Sequence, residues 1–156
     1  MILILYFGHT GTTKKAAELL KEQIENSVCY DGKKKNKLDY TQYDHIIFGA
    51  NVRMGKLNKK FIKVYNKLKK KNLNCNFSGF VVAADANQRG AYMTAMQKIL
   101  PEDAFVGFFG GEFNPTQAKG LSKAILLSCI ENFQKQNLPL PKLNLEAIQY
   151  FSENFK

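Results

Sequence analysis

Two glycines, three threonines and a histidine fall together at Gly8, His9, Thr10, Gly11, Thr12 and Thr13. They follow the apolar run Ile2–Phe7 and precede Ala16, Ala17, Leu19, Leu20 and Ile24, which share one helical face. A run that short reads as a strand buried on both faces, and the period change from Thr13 onward reads as a helix. Between such elements the first-turn N–H groups and the positive end of the helix dipole point at whatever occupies the turn. Thr10, Thr12 and Thr13 each add a hydroxyl donor. The loop therefore reads as an anion cradle, suited to a terminal phosphate monoester held by neutral donors instead of a lysine. The glycine and Lys-Ser/Thr spacing of a nucleotide-hydrolase loop is missing, and so is the G-x-G-x-x-G dinucleotide fingerprint. The competing reading is a Thr10 or Thr12 N-cap on a helix that binds nothing.

The elements that must position this loop alternate regularly. A weak second strand is expected at 28–30 and a clear buried third strand at 45–50, followed by a loop at 51–57. Asn58 caps a helix reaching about Lys71, with Phe61, Ile62, Tyr65 and Leu68 inward and lysines outward. A fourth strand is expected at 77–84, a loop from Asp85 to Gly90, a helix at 92–100 stopped by Pro101, and a fifth strand at 104–110. Strands alternating with helices predict right-handed crossovers and a parallel sheet covered on both faces. A further helix is expected at 118–136, one more than a minimal five-stranded domain needs, and Asn144 opens a last helix. No linker or repeat divides residues 1–156, so one domain is expected.

The chain has 156 residues, is 45% hydrophobic and carries a formal net charge of +10. That is enough apolar content for one core, and no stretch approaches the ~20 apolar residues that cross a bilayer. The N-terminus lacks the basic region of a signal peptide and reads directly as a core strand. Cys29, Cys75 and Cys129 are odd in number and in no metal or redox spacing, which reads as buried thiols in a reducing cytoplasm. Lysine supplies 21 of the 23 basic residues, at Lys33, Lys34, Lys35 and Lys37 and again between Lys59 and Lys71. Such a surface suits an anionic partner: a membrane surface, an acidic protein or a carboxylated substrate. The alternative is a compositional habit, with lysine solvating helix faces. No nucleic-acid motif accompanies the lysines, so nucleic acid is not expected.

The segment Tyr6-Phe-Gly-His-Thr-Gly-Thr-Thr-Lys14 resembles the phosphate-loop signature of flavodoxins, and the element order resembles that family over most of the chain. The resemblance implies a three-layer α/β fold with a five-stranded parallel sheet in the order 2-1-3-4-5, an extra helix after strand 5, and FMN as cofactor. Gly8 stands where flavodoxins usually have serine or threonine. A closer resemblance lies in Tyr43-Asp-His-Ile-Ile-Phe-Gly-Ala-Asn-Val-Arg-Met-Gly55, which is similar to the matching stretch of menaquinone-dependent protoporphyrinogen dehydrogenases. In them the third strand ends in a Gly-Ala-Ser-Ile-Arg-Tyr-Gly-like run, and an added segment precedes the final helix. Here Met54 replaces the usual aromatic.

By that resemblance Thr10, Gly11, Thr12 and Thr13 hold the FMN phosphate, with the backbone N–H of His9. Asn51, Val52, Arg53, Met54 and Gly55 line one side of the flavin ring, and Ala84, Asp85 and Asn87 meet it from beyond the fourth strand. Gly55 can turn its carbonyl toward the flavin N5, which requires freedom at positive φ. The two arginines, Arg53 and Arg89, both fall in loops expected at the flavin. An arginine fork suits a carboxylate or a flavin carbonyl. Met54 offers an adaptable apolar contact in a chain without tryptophan. The function implied is electron transfer through FMN. The partners are a quinone or small carboxylated substrate in a dehydrogenase, with peripheral contact to an anionic membrane surface. The alternative is a redox partner protein served by a one-electron carrier. Neither a catalytic side chain nor a metal site is read from the sequence.

Overall fold

The computed structural model describes residues 1–34 and 37–156; Lys35 of the first lysine run lies outside the described residues. The opening apolar run forms β1 (Ile2–Phe7), in which Leu3, Ile4, Leu5 and Phe7 are fully buried. It sits between β2 (Ser27–Asp31) and β3 (His45–Arg53), parallel to both. Beyond β3 lie β5 (Asn76–Val82) and the edge strand β6 (Val106–Phe108), also parallel. The order β2-β1-β3-β5-β6 is the expected 2-1-3-4-5 once the short strand β4 (Lys56–Leu57), which pairs only with β3, is set aside.

Each face of the sheet carries its own core. On one face α2 (Lys59–Lys69) and α3 (Arg89–Gln97) bring Phe61, Tyr65 and Met96 onto Phe7, Phe48 and Val81. On the other, α1 (Thr12–Gln23) and α5 (Leu145–Ser152) bring Ala16, Leu20, Ile148 and Phe151 onto Ile4, Ile47 and Phe80. Burial on both sides explains why the strands read as continuous apolar runs rather than alternating ones. Phe80 and Phe109 stack at 4.4 Å between centroids, fixing β5 against the chain leaving β6. Strand order reverses between β1 and β3. In an open parallel sheet, ligands bind in the crevice outside the carboxyl ends of strands at that reversal. The loops after β1, β3 and β5 all open at that edge.

Several expectations change in detail. The third strand continues past Ala50 to Arg53 and folds back, so 51–57 is a hairpin, not a loop. The fourth strand stops at Val82. The fifth is only Val106–Phe108: as an edge strand it has one neighbour, and Gly110 at φ +68 breaks its course. α3 opens at Arg89, because Asp85 Oδ1 accepts the Asn87 N–H at 3.1 Å and shapes a 3-10 turn that runs into the helix. Arg89 is therefore a helix-opening residue, not a loop residue. The three cysteines are half-buried and unpaired rather than buried. Burial pushes the Cys29 thiol up to about 12, which leaves it un-ionised and unreactive at neutral pH. The added helix is α4 (Gly120–Lys135), and none of its residues is buried. Among the described residues no helix is long and apolar enough to cross a membrane.

Candidate functional site

The phosphate-loop candidate forms where β1 hands over to α1. Gly11 occupies the N-cap position of α1 at φ +88, a left-handed conformation that favours glycine, and no side chain caps the helix. A threonine cap is thus excluded: Thr12 and Thr13 are the first two helical residues, and both are buried. The first-turn N–H groups have no partner one turn earlier. Thr12 is 5% exposed, and its Oγ1 is a buried side-chain oxygen without a hydrogen-bond partner. Buried hydroxyls are nearly always bonded, so an orphan at an uncapped helix start marks a place for an acceptor. Thr10 is half-buried and His9 is exposed beside it. At Gly8 a Cβ would lie 2.7 Å from Thr13 Oγ1. A serine or threonine would collide there, so the glycine makes room for the Thr13 side chain.

The second wall is the β3–β4 hairpin. Arg53 pairs with Lys56 across a two-residue turn in which Met54 and Gly55 both have positive φ, +52 and +73, the signature of a type I′ turn. A Cβ on Gly55 would meet nothing within 4 Å, so the glycine is required by conformation and not by crowding. Met54 is 90% exposed at the tip. The hairpin base is tied down by Asn58, whose Nδ2 donates to Asn51 Oδ1 at 2.8 Å and whose N–H donates to the Asn51 carbonyl at 3.0 Å. The Oδ1 of Asn51 is thus engaged in structure. Asn58 Oδ1 also caps α2. Val52 packs against the core. The third wall, after β5, carries Ala84, Asp85 and Asn87, with Asp85 committed through one oxygen to the Asn87 N–H.

Residues that sequence reasoning did not select close the arrangement. Lys33, in the loop after β2, donates from Nζ to the Gly8 carbonyl. The pKa of His9 is held below its ordinary value by partial burial first, then by the positive charges of Lys33, Arg53 and Lys60. Lys33, Arg53 and Lys60, from three separate elements, thus add positive charge that the first loop's own residues do not supply. The segment 111–122 crosses the same edge. Its Glu112 pairs with Lys15 in the first turns of α1 at 2.9 Å, and Gln117 lies against Gly11, its Oε1 2.7 Å from where a Cβ would be. Ser122 accepts from Arg53 Nη2 at 2.6 Å. Gly111 packs on the backbone of Ala83 and Ala84, where a Cβ would fall 2.5 Å from the Ala83 carbonyl carbon. Lys15 and Glu112 are 97 residues apart in sequence and Arg53 and Ser122 are 69 apart, and Lys33 sits in a lysine run with nothing to set it apart. No local signal identified them. Among the described residues, no group of three or more His, Cys, Asp or Glu side chains could hold a metal ion.

Comparison with known proteins follows the same lines. Residues 3–136 match a family model described as a flavodoxin domain. The chain is similar in structure to a flavoprotein in complex with FMN from Lactobacillus acidophilus NCFM, with 21% identity, 70% of this chain and 91% of that chain covered, and a TM-score of 0.54. It is similar to the two-electron reduced flavodoxin of Megasphaera elsdenii, with 14% identity, 84% and 99% covered, and a TM-score of 0.53. A flavodoxin from the domain Archaea gives 16% identity, 85% and 98% covered, and a TM-score of 0.55. At these identities the likeness speaks to the fold. No curated protein matches the chain.

Proposed function

The chain belongs to the flavodoxin-domain family, and from that premise we propose that it is an FMN flavoprotein that oxidises or reduces a small anionic substrate or a quinone. The observation that carries the cofactor reading is the unpartnered, buried Thr12 hydroxyl at the uncapped start of α1. A phosphate monoester supplies the acceptors that this hydroxyl and the first-turn N–H groups lack. FMN brings the electron-transfer chemistry that side chains do not supply.

The chain's own residues bind and orient. Thr10, Thr12 and Thr13 hold the phosphate with the N–H groups of His9 and Gly11, and Lys33 adds positive charge at the loop. Asn51, fixed by Asn58, presents its remaining amide donor at the flavin edge, while Val52 and Met54 offer apolar surface. Gly55 is free to reorient its peptide, since no neighbour crowds it. Ala84, Asp85 and Asn87 form the opposite wall. Arg53 directs a guanidinium at the rim, suited to a substrate carboxylate or a quinone carbonyl. The finer reading, a dehydrogenase like those acting on protoporphyrinogen with menaquinone, is supported by the Arg53 stretch and the added helix α4. A cytoplasmic site of action is part of the same proposal.

The purified chain is expected to be yellow and to release FMN on denaturation. Stoichiometric reoxidation of the reduced protein by a menaquinone analogue supports the dehydrogenase. Reduction in two resolved one-electron steps, with no quinone turnover, replaces it with the carrier that serves a redox partner protein. A colourless chain that does not quench added FMN overturns both.

A further inference from the structure

Helix α4 is unusual for what it leaves uncovered. A helix with apolar residues around most of its circumference is ordinarily buried, yet no residue of α4 is. Its inward face holds Ser122, Leu126, Cys129, Ile130 and Phe133 half-buried, with Phe133 edge-on to Phe113 at 5.1 Å. The last turns expose Glu131, Asn132, Gln134 and Lys135 and need no cover. The first two turns expose Leu121 at 78%, Ile125 at 51% and Leu127 at 48%. That end is also where the hydrogen bond between Arg53 and Ser122 draws in the hairpin, whose tip exposes Met54. Leu121 and Ile125, one turn apart on one helix face, and Met54 at the hairpin tip therefore expose three large apolar side chains beside the candidate site.

The charges around them have one sign. Lys119 and Lys123 flank the apolar turns, and Arg53 and Lys56 flank Met54, all of them exposed. The nearest acidic residue along α4, Glu131, lies beyond these turns and pairs with Lys135. A second copy of this chain would bring the same cations face to face across an isologous contact, on a molecule of net charge +10. Side chains that protrude singly from a helix start and a hairpin tip need no complementary groove if the medium is fluid. Basic residues beside protruding apolar ones are what an anionic bilayer surface attracts and then takes up at the headgroup boundary.

We propose that the first two turns of α4, together with the β3–β4 hairpin tip, dock the chain peripherally on an anionic membrane, with Leu121, Ile125 and Met54 entering the interface.

Co-sedimentation of the purified full chain with vesicles tests this. Binding is expected to vesicles of phosphatidylglycerol and phosphatidylcholine in roughly equal parts, and neither to pure phosphatidylcholine vesicles nor in high salt. Leu121→Gln with Ile125→Gln should weaken partitioning by about tenfold or more. Lys119→Gln with Lys123→Gln should weaken it by about 25-fold, near fivefold for each charge. The control with equal charge loss, Lys67→Gln with Lys69→Gln at the far end of α2, should fall clearly less. Equal losses in the two lysine pairs would mean that net charge alone acts and would overturn the assignment to α4. So would absence of anionic-vesicle binding, or a dimer in light scattering that the Leu121/Ile125 variant dissolves. All these residues are exposed, so unchanged melting temperatures are expected and separate surface loss from misfolding.

Discussion

Replacing Thr12 with valine should move two quantities in opposite directions. The side chain is 5% exposed and its hydroxyl has no partner. A buried, unsatisfied polar group costs about 1–3 kcal/mol, and valine matches threonine in shape. Thr12→Val is therefore expected to stabilise the FMN-free chain by about 1 kcal/mol or more, a rise in melting temperature of about 2–4 °C per kcal/mol at this size. If the hydroxyl donates to a phosphate, the same change removes a hydrogen bond to a charged acceptor, worth about 1.5–3 kcal/mol. FMN affinity should fall by about 10- to 150-fold. Riboflavin has no phosphate, so its affinity should not change. Thermal melts of the stripped protein give the first quantity, and quenching of flavin fluorescence with the two ligands gives the second and third. A stripped variant less stable than the parent, with FMN affinity intact, would make the hydroxyl a satisfied structural group with no phosphate to bind. Parallel losses for FMN and riboflavin would place the effect at the ring or the fold and not at the phosphate.

Other consequences follow from the same geometry. Met54→Asn should stabilise the fold by about 1 kcal/mol, because asparagine tolerates positive φ and Asn-Gly is the favoured pair in a type I′ turn; Gly55→Ala, strained at φ +73, should cost about 1–2 kcal/mol. Urea melts read both. Arg53→Ala should lower kcat/KM for a carboxylated substrate or quinone by about 10- to 100-fold and change FMN affinity far less; equal kcat/KM would remove Arg53 from substrate recognition. Burial lowers the pKa of His45 below its ordinary 6.5, in a site where Nε2 meets Ser78 Oγ at 2.9 Å and the ring stands edge-on to Phe155. The unfolded chain then takes up the proton first, so stability should fall as pH drops below about 6.5 and level off below the folded pKa. His45→Gln should flatten that part of the profile in denaturation measured at several pH values.

What the sequence made legible is what depends on neighbours in the chain. The strand Ile2–Phe7 and the Asn58 and Asn144 caps announce themselves through local pattern, and each is where it was expected. The hairpin at 53–56 was missed because Met54 is a poor residue for positive φ and hides the turn signal that asparagine would give. The shortened β6 reflects its edge position, which no window of sequence contains. The cations at His9 and the crossing of 111–122 were illegible for a related reason. Lys33, Lys60, Glu112 and Gln117 take their meaning from distances set by the sheet order. A lysine that touches the Gly8 carbonyl reads in sequence like any lysine in a run.

The deficits around the first loop share a sign. α1 starts without a side-chain cap, which leaves donors open. Thr12 buries a hydroxyl with no acceptor. Lys33, Arg53 and Lys60 converge on His9 from a loop, a hairpin and a helix, and their charge opposes its protonation. Any one of these occurs in proteins that bind nothing: helices fray, a hydroxyl can be left unpaired, and lysines cluster on basic surfaces. They come from residues that no local constraint ties together, yet they meet at one edge of the sheet, where Lys33 and Arg53 donate to the neutral oxygens of Gly8 and Ser122. A single dianionic group would relieve all of them, which predicts a further coupling. The pKa of His9 should rise when FMN binds and stay low when riboflavin binds, because only the phosphate opposes the three cations. Titration of the His9 ring protons by NMR reads this directly, with His45, at the opposite end of the strands, as an internal reference. A His9 pKa that ignores FMN would put the phosphate elsewhere, and with it the reading of the first loop.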